Sequence, residues 1–245
     1  MNSYKSSSQL KAIAKEKLLG QYSTTIGAFL LYGAITLVLD MVVSFMVNPT
    51  DIYTLVIYEV AVFIIELLLG IIISGRAYMY MNVVYSQPAN ITDLFYGFQS
   101  HPNKAIGIQL FYSVAALLVN LPFTIYINFF AYSQSTTGTF VCFLIGAIGI
   151  LINIYVSLAI SQAFYLLQDF PDRSVKNLIL TSCKLMKGNK FRLFYIYVSF
   201  IPLMLLCIIT FFVPFLWVNS YMEATFAAFY QDLIAVSSSK NTAAN

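Results

Sequence analysis

Charged side chains are scarce in this chain: they make up 9% of its 245 residues, against about 25% in a soluble domain. With 60% of the residues hydrophobic, there are too few charges to cover a water-soluble globule of this size. Histidine occurs once, at His101 in the polar stretch Ser100-His101-Pro102-Asn103. That excludes a histidine-based triad or a histidine zinc site, and His101 reads as a loop residue. The three cysteines, Cys142, Cys183 and Cys207, show no paired spacing and so no zinc or redox motif. They read as small apolar residues in helices, although Cys142 and Cys207 could lie near one membrane face. There is no phosphate-binding glycine loop and no dinucleotide-type glycine run. The expectation is no cofactor and no enzyme; a carboxylate pair is the one feature compatible with hydrolysis of a lipid-linked substrate. No cluster of Lys and Arg reads as a nucleic-acid face.

Long apolar runs are what the chain does have. A span needs about 20 apolar residues. Runs at 24–47, 52–84, 105–130 and 139–167 meet this. The start does not read as a cleaved signal peptide, because the run after the basic segment Met1 to Gln21 is too long and lacks a small-residue cleavage site. The last run, Leu193 to Val236, would be ~66 Å long as one helix, about two bilayer cores. Pro214 suits the first turn of a new helix. The run therefore divides into spans at 193–209 and 213–236, with five spans and a surface helix as the alternative. The whole is expected to be one transmembrane domain, 1–236, followed by a polar tail, 237–245.

The basic residues sort by connection. Lys5, Lys11, Lys15 and Lys17 precede the first span, and Arg76 and Lys104 lie between the second and third. Arg173, Lys176, Lys184, Lys187, Lys190 and Arg192 lie between the fourth and fifth, and Lys240 follows the last. The connections around Asp51, Ser133 to Thr137 and Thr210 have none. All 13 Lys and Arg thus fall on one side of a six-span arrangement. The positive-inside rule makes that side cytoplasmic, with both termini there.

Between the spans lie short amphipathic segments. Ser8 to Leu19 stops at Gly20, and Ser174 to Lys187 stops at Gly188. Both have the polar start and glycine stop of short helices and an apolar stripe suited to a membrane surface. Ile91 to Phe98 is a weaker version. Lys11, Lys15, Lys17, Lys184, Lys187, Lys190 and Arg192 are the expected contacts with anionic headgroups on the cytoplasmic leaflet. Each short helix precedes an outward span. The returning spans echo one another in Ala77-Tyr78-Met79-Tyr80, Ala163-Phe164-Tyr165 and Ala228-Phe229-Tyr230. The expected fold is therefore an all-α membrane protein: six transmembrane helices as three helical hairpins, each preceded by a short basic interfacial helix.

Several stretches together carry a resemblance. They are Leu10-Lys11-Ala12, Leu19-Gly20-Gln21-Tyr22, Ile26-Gly27-Ala28-Phe29-Leu30-Leu31 and Asp93-Leu94-Phe95-Tyr96-Gly97-Phe98. Leu185-Met186-Lys187-Gly188-Asn189-Lys190, Leu193-Phe194 and Ala227-Ala228-Phe229-Tyr230-Gln231-Asp232-Leu233 complete the set. Over nearly its whole length the chain resembles the bacterial integral-membrane family called domain of unknown function 975, found mostly in Firmicutes. The resemblance implies a bacterial plasma-membrane protein and supplies no activity. It also implies a glycine-rich turn before the last span, where Thr210 to Pro214 has no glycine.

Ionisable groups inside spans are functional candidates by default. Asp40, Glu59, Glu66 and Glu223 stand out, with Asn120 and Asn153 adding polar atoms. Asp40 and Glu59 are expected at matching depth in neighbouring antiparallel spans, with Glu66 two turns below Glu59. One reading is a polar cavity or an acidic cation path; the preferred one is interhelical hydrogen bonding. The corresponding functions are a non-catalytic scaffold, partner subunit or membrane-shaping module with a membrane-protein partner, and, as the alternative, a small permease-like transporter using the carboxylates.

Overall fold

The computed structural model describes residues 4–46, 52–130 and 136–242. The expected connections at Asp51 and around Ser133 lie outside them. The described residues form helices and turns only. α1 (Ser7–Lys17), α2 (Tyr22–Met46) and α3 (Ile52–Val84) come first, followed by a 3-10 turn at Ile91–Phe95, α4 (Tyr96–Gln99) and α5 (Pro102–Phe130). Then come α6 (Thr136–Ile160), α7 (Ala163–Asp169), α8 (Val175–Met186), α9 (Lys190–Val198), α10 (Ile201–Ile209) and α11 (Phe215–Thr242). Among the described residues, five segments are long and apolar enough to cross a membrane: Tyr22–Phe45, Val56–Val84, Pro102–Phe123, Phe140–Asp169 and Lys190–Ile209. The chain is thus a multi-pass helical membrane protein.

α11, expected as a sixth span, is not among them. Asn219, Glu223, Gln231 and Asp232 dilute its apolar character. It is nonetheless deeply enclosed, with Ala224 to Tyr230 buried without a gap. It packs against α1, α2, α3 and α10, so its neighbours are protein, and polar atoms are tolerated that lipid would reject. It also overruns the expected polar tail. Ser237, Ser238 and Ser239 donate hydroxyl hydrogen bonds to carbonyls of their own helix, and α11 continues to Thr242.

The short helices end where glycine was expected to stop them. Gly20 and Gly188 adopt φ of +83° and +84°, a region open to glycine at little cost. α1 starts earlier than expected, capped by Ser6 rather than Ser8. Gln9 is the reason: its side chain and that of Ser6 exchange hydrogen bonds with each other's backbone N–H, a capping box. Ser174 caps α8. The apolar stripes of these helices face protein. Leu10 and Ala14 of α1 and Leu18 just after it are buried, as are Leu178, Ile179 and Met186 of α8. The turn before α11 is made without glycine: Phe211 and Phe212 both take positive φ, 52° and 62°.

Burial concentrates at one end of the bundle, where α1, the 3-10 turn and α8 pack. There α3 meets the 3-10 turn and α4 almost backbone to backbone. A Cβ on Gly75 would lie 2.0 Å from the Leu94 carbonyl oxygen, and one on Gly97 2.1 Å from that of Ile71. Arg192 clamps the same end. Its guanidinium donates to Asp232 Oδ2 and to the Lys5 carbonyl, each at 2.9 Å, and lies over the Tyr4 ring at 4.2 Å. At the far end, Leu37, Val38, Met41, Val42 and Phe45 of α2 and most of α6 before Tyr155 present exposed apolar side chains.

Candidate functional site

Six helices line a single chamber, most of them with residues one turn apart. From α3 come Ile73, Arg76 and Ala77; from α5, Gln109 and Tyr112. α6 gives Ser157, the turn after it Ser161, and α9 gives Leu193 and Tyr197. α11 adds Glu223 and Phe226. Spacings of three or four residues put such pairs on one helix face. The chamber has a volume of about 290 Å³.

A helix break forms one wall. The apolar run 139–167, expected as one span, is interrupted at Ser161 and Gln162, between α6 and α7. No proline or glycine lies there. Ser182 of α8 enters the break instead: the Gln162 backbone N–H donates to Ser182 Oγ at 3.2 Å, and Ser182 Oγ donates to the Ala159 carbonyl at 2.8 Å. A side chain inserted into the backbone ladder is a recognised cause of such a break. It turns Gln162, Phe164 and Tyr165 toward the chamber. A second break, between α9 and α10, lies close by at Ser199 and Phe200. Pro202 removes a backbone donor there. Lys11 Nζ donates to the Ser199 carbonyl at 2.9 Å and sits 4.0 Å from the centre of the Phe200 ring. Its partial burial lowers its pKa from the ordinary lysine value.

The polar atoms of the chamber are unevenly satisfied. Arg76 and Glu223 form an ion pair at 3.7 Å, longer than a direct hydrogen bond. Arg76 also lies over the Tyr32 ring at 5.2 Å. Tyr112 donates its hydroxyl to Ser157. Gln162 is 1% exposed, yet its Oε1 has no partner among the described residues. The orientation of that amide is fixed by its neighbour. The Ser161 hydroxyl donates to the Leu158 carbonyl, so its oxygen has only acceptor capacity left. Gln162 Nε2 donates to it at 2.7 Å, leaving Oε1 as the free acceptor.

The residues singled out from sequence do not form one site. Asp40 and Glu59 are both exposed on the outside of the bundle, with no hydrogen bond or ion pair between them. Asp40 shares a groove along α2 with Gly33, Thr36 and Ser44. Glu66 accepts from Ser113 Oγ of α5 at 3.1 Å. Asn153 Nδ2 of α6 donates to Asn120 Oδ1 of α5 at 2.8 Å. These are separate interhelical bonds, and only Glu223 reaches the chamber. Arg76, counted as a connecting-segment charge, lies inside α3 and faces Glu223. An arginine deep in an apolar run was the signal that could have found it.

The basic residues divide similarly. Lys11 and Arg192 are engaged by the protein, Lys17 Nζ donates to Ser86 Oγ at 2.6 Å, and Lys190 lies over Tyr155 at 3.5 Å. Lys15, Lys184 and Lys187 are exposed.

The model of the family described as Protein of unknown function (DUF975) matches residues 1–237. The chain belongs to that family. Neither a curated protein nor a solved structure matches it. The family description names no activity, so the functional reading rests on the chamber.

Proposed function

We propose that this DUF975 chain is a permease-like membrane protein whose chamber receives a small polar molecule. The observation that carries this reading is an unbonded Gln162 acceptor in the wall of the cavity that also holds the loose Arg76–Glu223 pair, where a helix is broken. Interrupted helices at membrane depth are tolerated where they are buried in protein or line a cavity, and transporters build binding sites from them. A bundle serving only as a scaffold has no use for an unsatisfied buried acceptor, which costs about 1–3 kcal/mol. The proposed role is binding and passage rather than catalysis.

The proposed topology has six spans as three hairpins. α2–α3, α5–α6 with α7, and α9–α10 with α11 form the pairs, each after a short helical segment that is basic in α1 and α8 and not in residues 91–99. The basic end faces the cytoplasm of a bacterial cell, and exposed Lys15, Lys184 and Lys187 meet anionic headgroups there. The burial of α11 among α1, α2 and α3 supports its insertion as the sixth span. A second reading, a partner subunit, draws on the polar face of α2, where Asp40 is exposed on the outside.

The chamber reading is tested by thiol labelling. Ser157→Cys, in a chain with Cys142, Cys183 and Cys207 replaced by Ala, is expected to react with a small water-soluble methanethiosulfonate in membrane vesicles. Met79→Cys, at a buried site outside the chamber, is the unreactive control. An equally unreactive Ser157→Cys would overturn the chamber and leave the partner-subunit reading. For topology, tags at the two ends should be accessible from the same membrane side; opposite sides would leave five spans.

A further inference from the structure

We propose that the chamber takes a small zwitterion pairing an anionic oxygen group with an ammonium that still carries N–H, the class of free α-amino acids. The inference rests on the chamber reading above and adds the ligand class. Three groups define it. Arg76 offers donors and makes no hydrogen bond with a described residue; its ion pair to Glu223 is 3.7 Å long. Glu223 offers a carboxylate, and Gln162 Oε1 offers a buried acceptor without a partner. An anionic oxygen group matches Arg76, because a guanidinium presents forked donors to a carboxylate. A donor-bearing cation matches Glu223 and Gln162 together.

Charge balance selects between ligand classes. Arg76 and Glu223 already cancel. A net anion or a net cation would add an uncompensated charge at membrane depth, which is costly, whereas a zwitterion adds none. The free Gln162 acceptor further requires a true N–H or O–H donor, so a quaternary ammonium does not satisfy it. About 290 Å³ is room for roughly ten waters at ~30 Å³ each, enough for an amino acid. Phe164, Tyr165, Tyr197 and Phe226 line the same space, giving a ligand's apolar part aromatic surface to lie against.

The same chemistry occurs in an ethanolamine lipid headgroup, so the test separates the two sources. The cysteine-substituted Ser157→Cys chain is placed in phosphatidylcholine nanodiscs, and labelling is followed with L-leucine, isopentylamine, 4-methylpentanoate or glycine betaine added. A further arm replaces part of the lipid with phosphatidylethanolamine. L-leucine is expected to slow labelling at concentrations about tenfold lower than its amine or acid fragments, as the loss of one hydrogen-bonded group implies. Glycine betaine, with no N–H, is expected to give no protection. Protection by the ethanolamine lipid and not by L-leucine assigns the same chemistry to a headgroup. Gln162→Leu is expected to weaken the protection about tenfold; should that variant misfold, calorimetric titration of the unsubstituted chain with the same compounds gives the same ranking. A reactive thiol that neither zwitterion protects, or fragments that protect as well as the whole molecule, would overturn the ligand class and leave the chamber standing. An unreactive thiol would remove both.

Discussion

The two ends of this bundle are built differently. At the basic end, short helices wedge between the long ones, α3 touches the 3-10 turn and α4 through glycines, and Arg192 ties the N-terminal segment to α9 and α11. At the far end, α2 stands with exposed apolar side chains, while α5 and α6 stay in contact, Gly146 against the Phe123 ring and Asn153 bonded to Asn120. The basic end is a protein core in its own right. The far end leaves its apolar surface for lipid, where the solvent supplies what packing does not. The chamber lies nearer the first, at the breaks of α6/α7 and α9/α10, so the rigid end holds the polar groups in place.

Substitutions matched across the two ends test that contrast. The largest effect is expected for Gly75→Ala. Its Cβ would clash with the Leu94 backbone, and the cost is about 3 kcal/mol or more. Gly33→Ala at the far end, where a Cβ meets nothing within 4 Å, should be neutral or stabilising by up to ~1 kcal/mol. Thermal melts of the two purified variants in one detergent compare them directly, and equal losses would end the distinction.

Next in size is Arg192→Gln. It leaves Asp232, 4% exposed, without its cation, and breaking such a buried pair costs about 3 kcal/mol. Lys184→Gln with Lys187→Gln removes exposed charges, and the effect on melting should stay within about 0.5 kcal/mol. A larger loss in the lysine variant would mean that the charges stabilise the fold rather than its orientation.

Smaller still is Asn153→Ala. An intramembrane hydrogen bond is worth about 0.6 kcal/mol on average, and the double variant with Asn120→Ala should show the two effects to be coupled. The smallest change is expected for Asp40→Asn with Glu59→Gln. Both side chains are exposed and unconnected to each other, so the melt of the detergent-solubilised protein should stay within about 0.5 kcal/mol of the parent. A substantial loss would place a partner on that face.

Sequence made some of this legible, for identifiable reasons. Long apolar runs located α2, α3, α5 and α6 because lipid exposure demands apolar residues all round the helix. Gly20 and Gly188 marked the ends of the short helices because a positive φ favours glycine. An apolar run also located α11, but lipid exposure is not what its composition reports, because its polar residues are housed by protein. The break at Ser161 and Gln162 left no local mark, because its cause, Ser182, belongs to another helix. The chamber was hidden for a related reason: its residues come one turn apart from segments scattered between Ile73 and Phe226. Asp40 and Glu59 looked like a pair because matching depth can be read from a hairpin. Whether two residues face each other depends on helix rotation, and the structure turns both outward.

The central claim, a water-accessible polar chamber beside a packed core, is tested most directly by hydroxyl-radical footprinting of the intact chain in nanodiscs. Tyr112 and Tyr197 line the chamber, whereas Tyr80 and Tyr230 are 1% and 0% exposed in the packed core. The account predicts oxidation of Tyr112 and Tyr197 with Tyr80 and Tyr230 silent. Chamber tyrosines as unreactive as those of the core would contradict it.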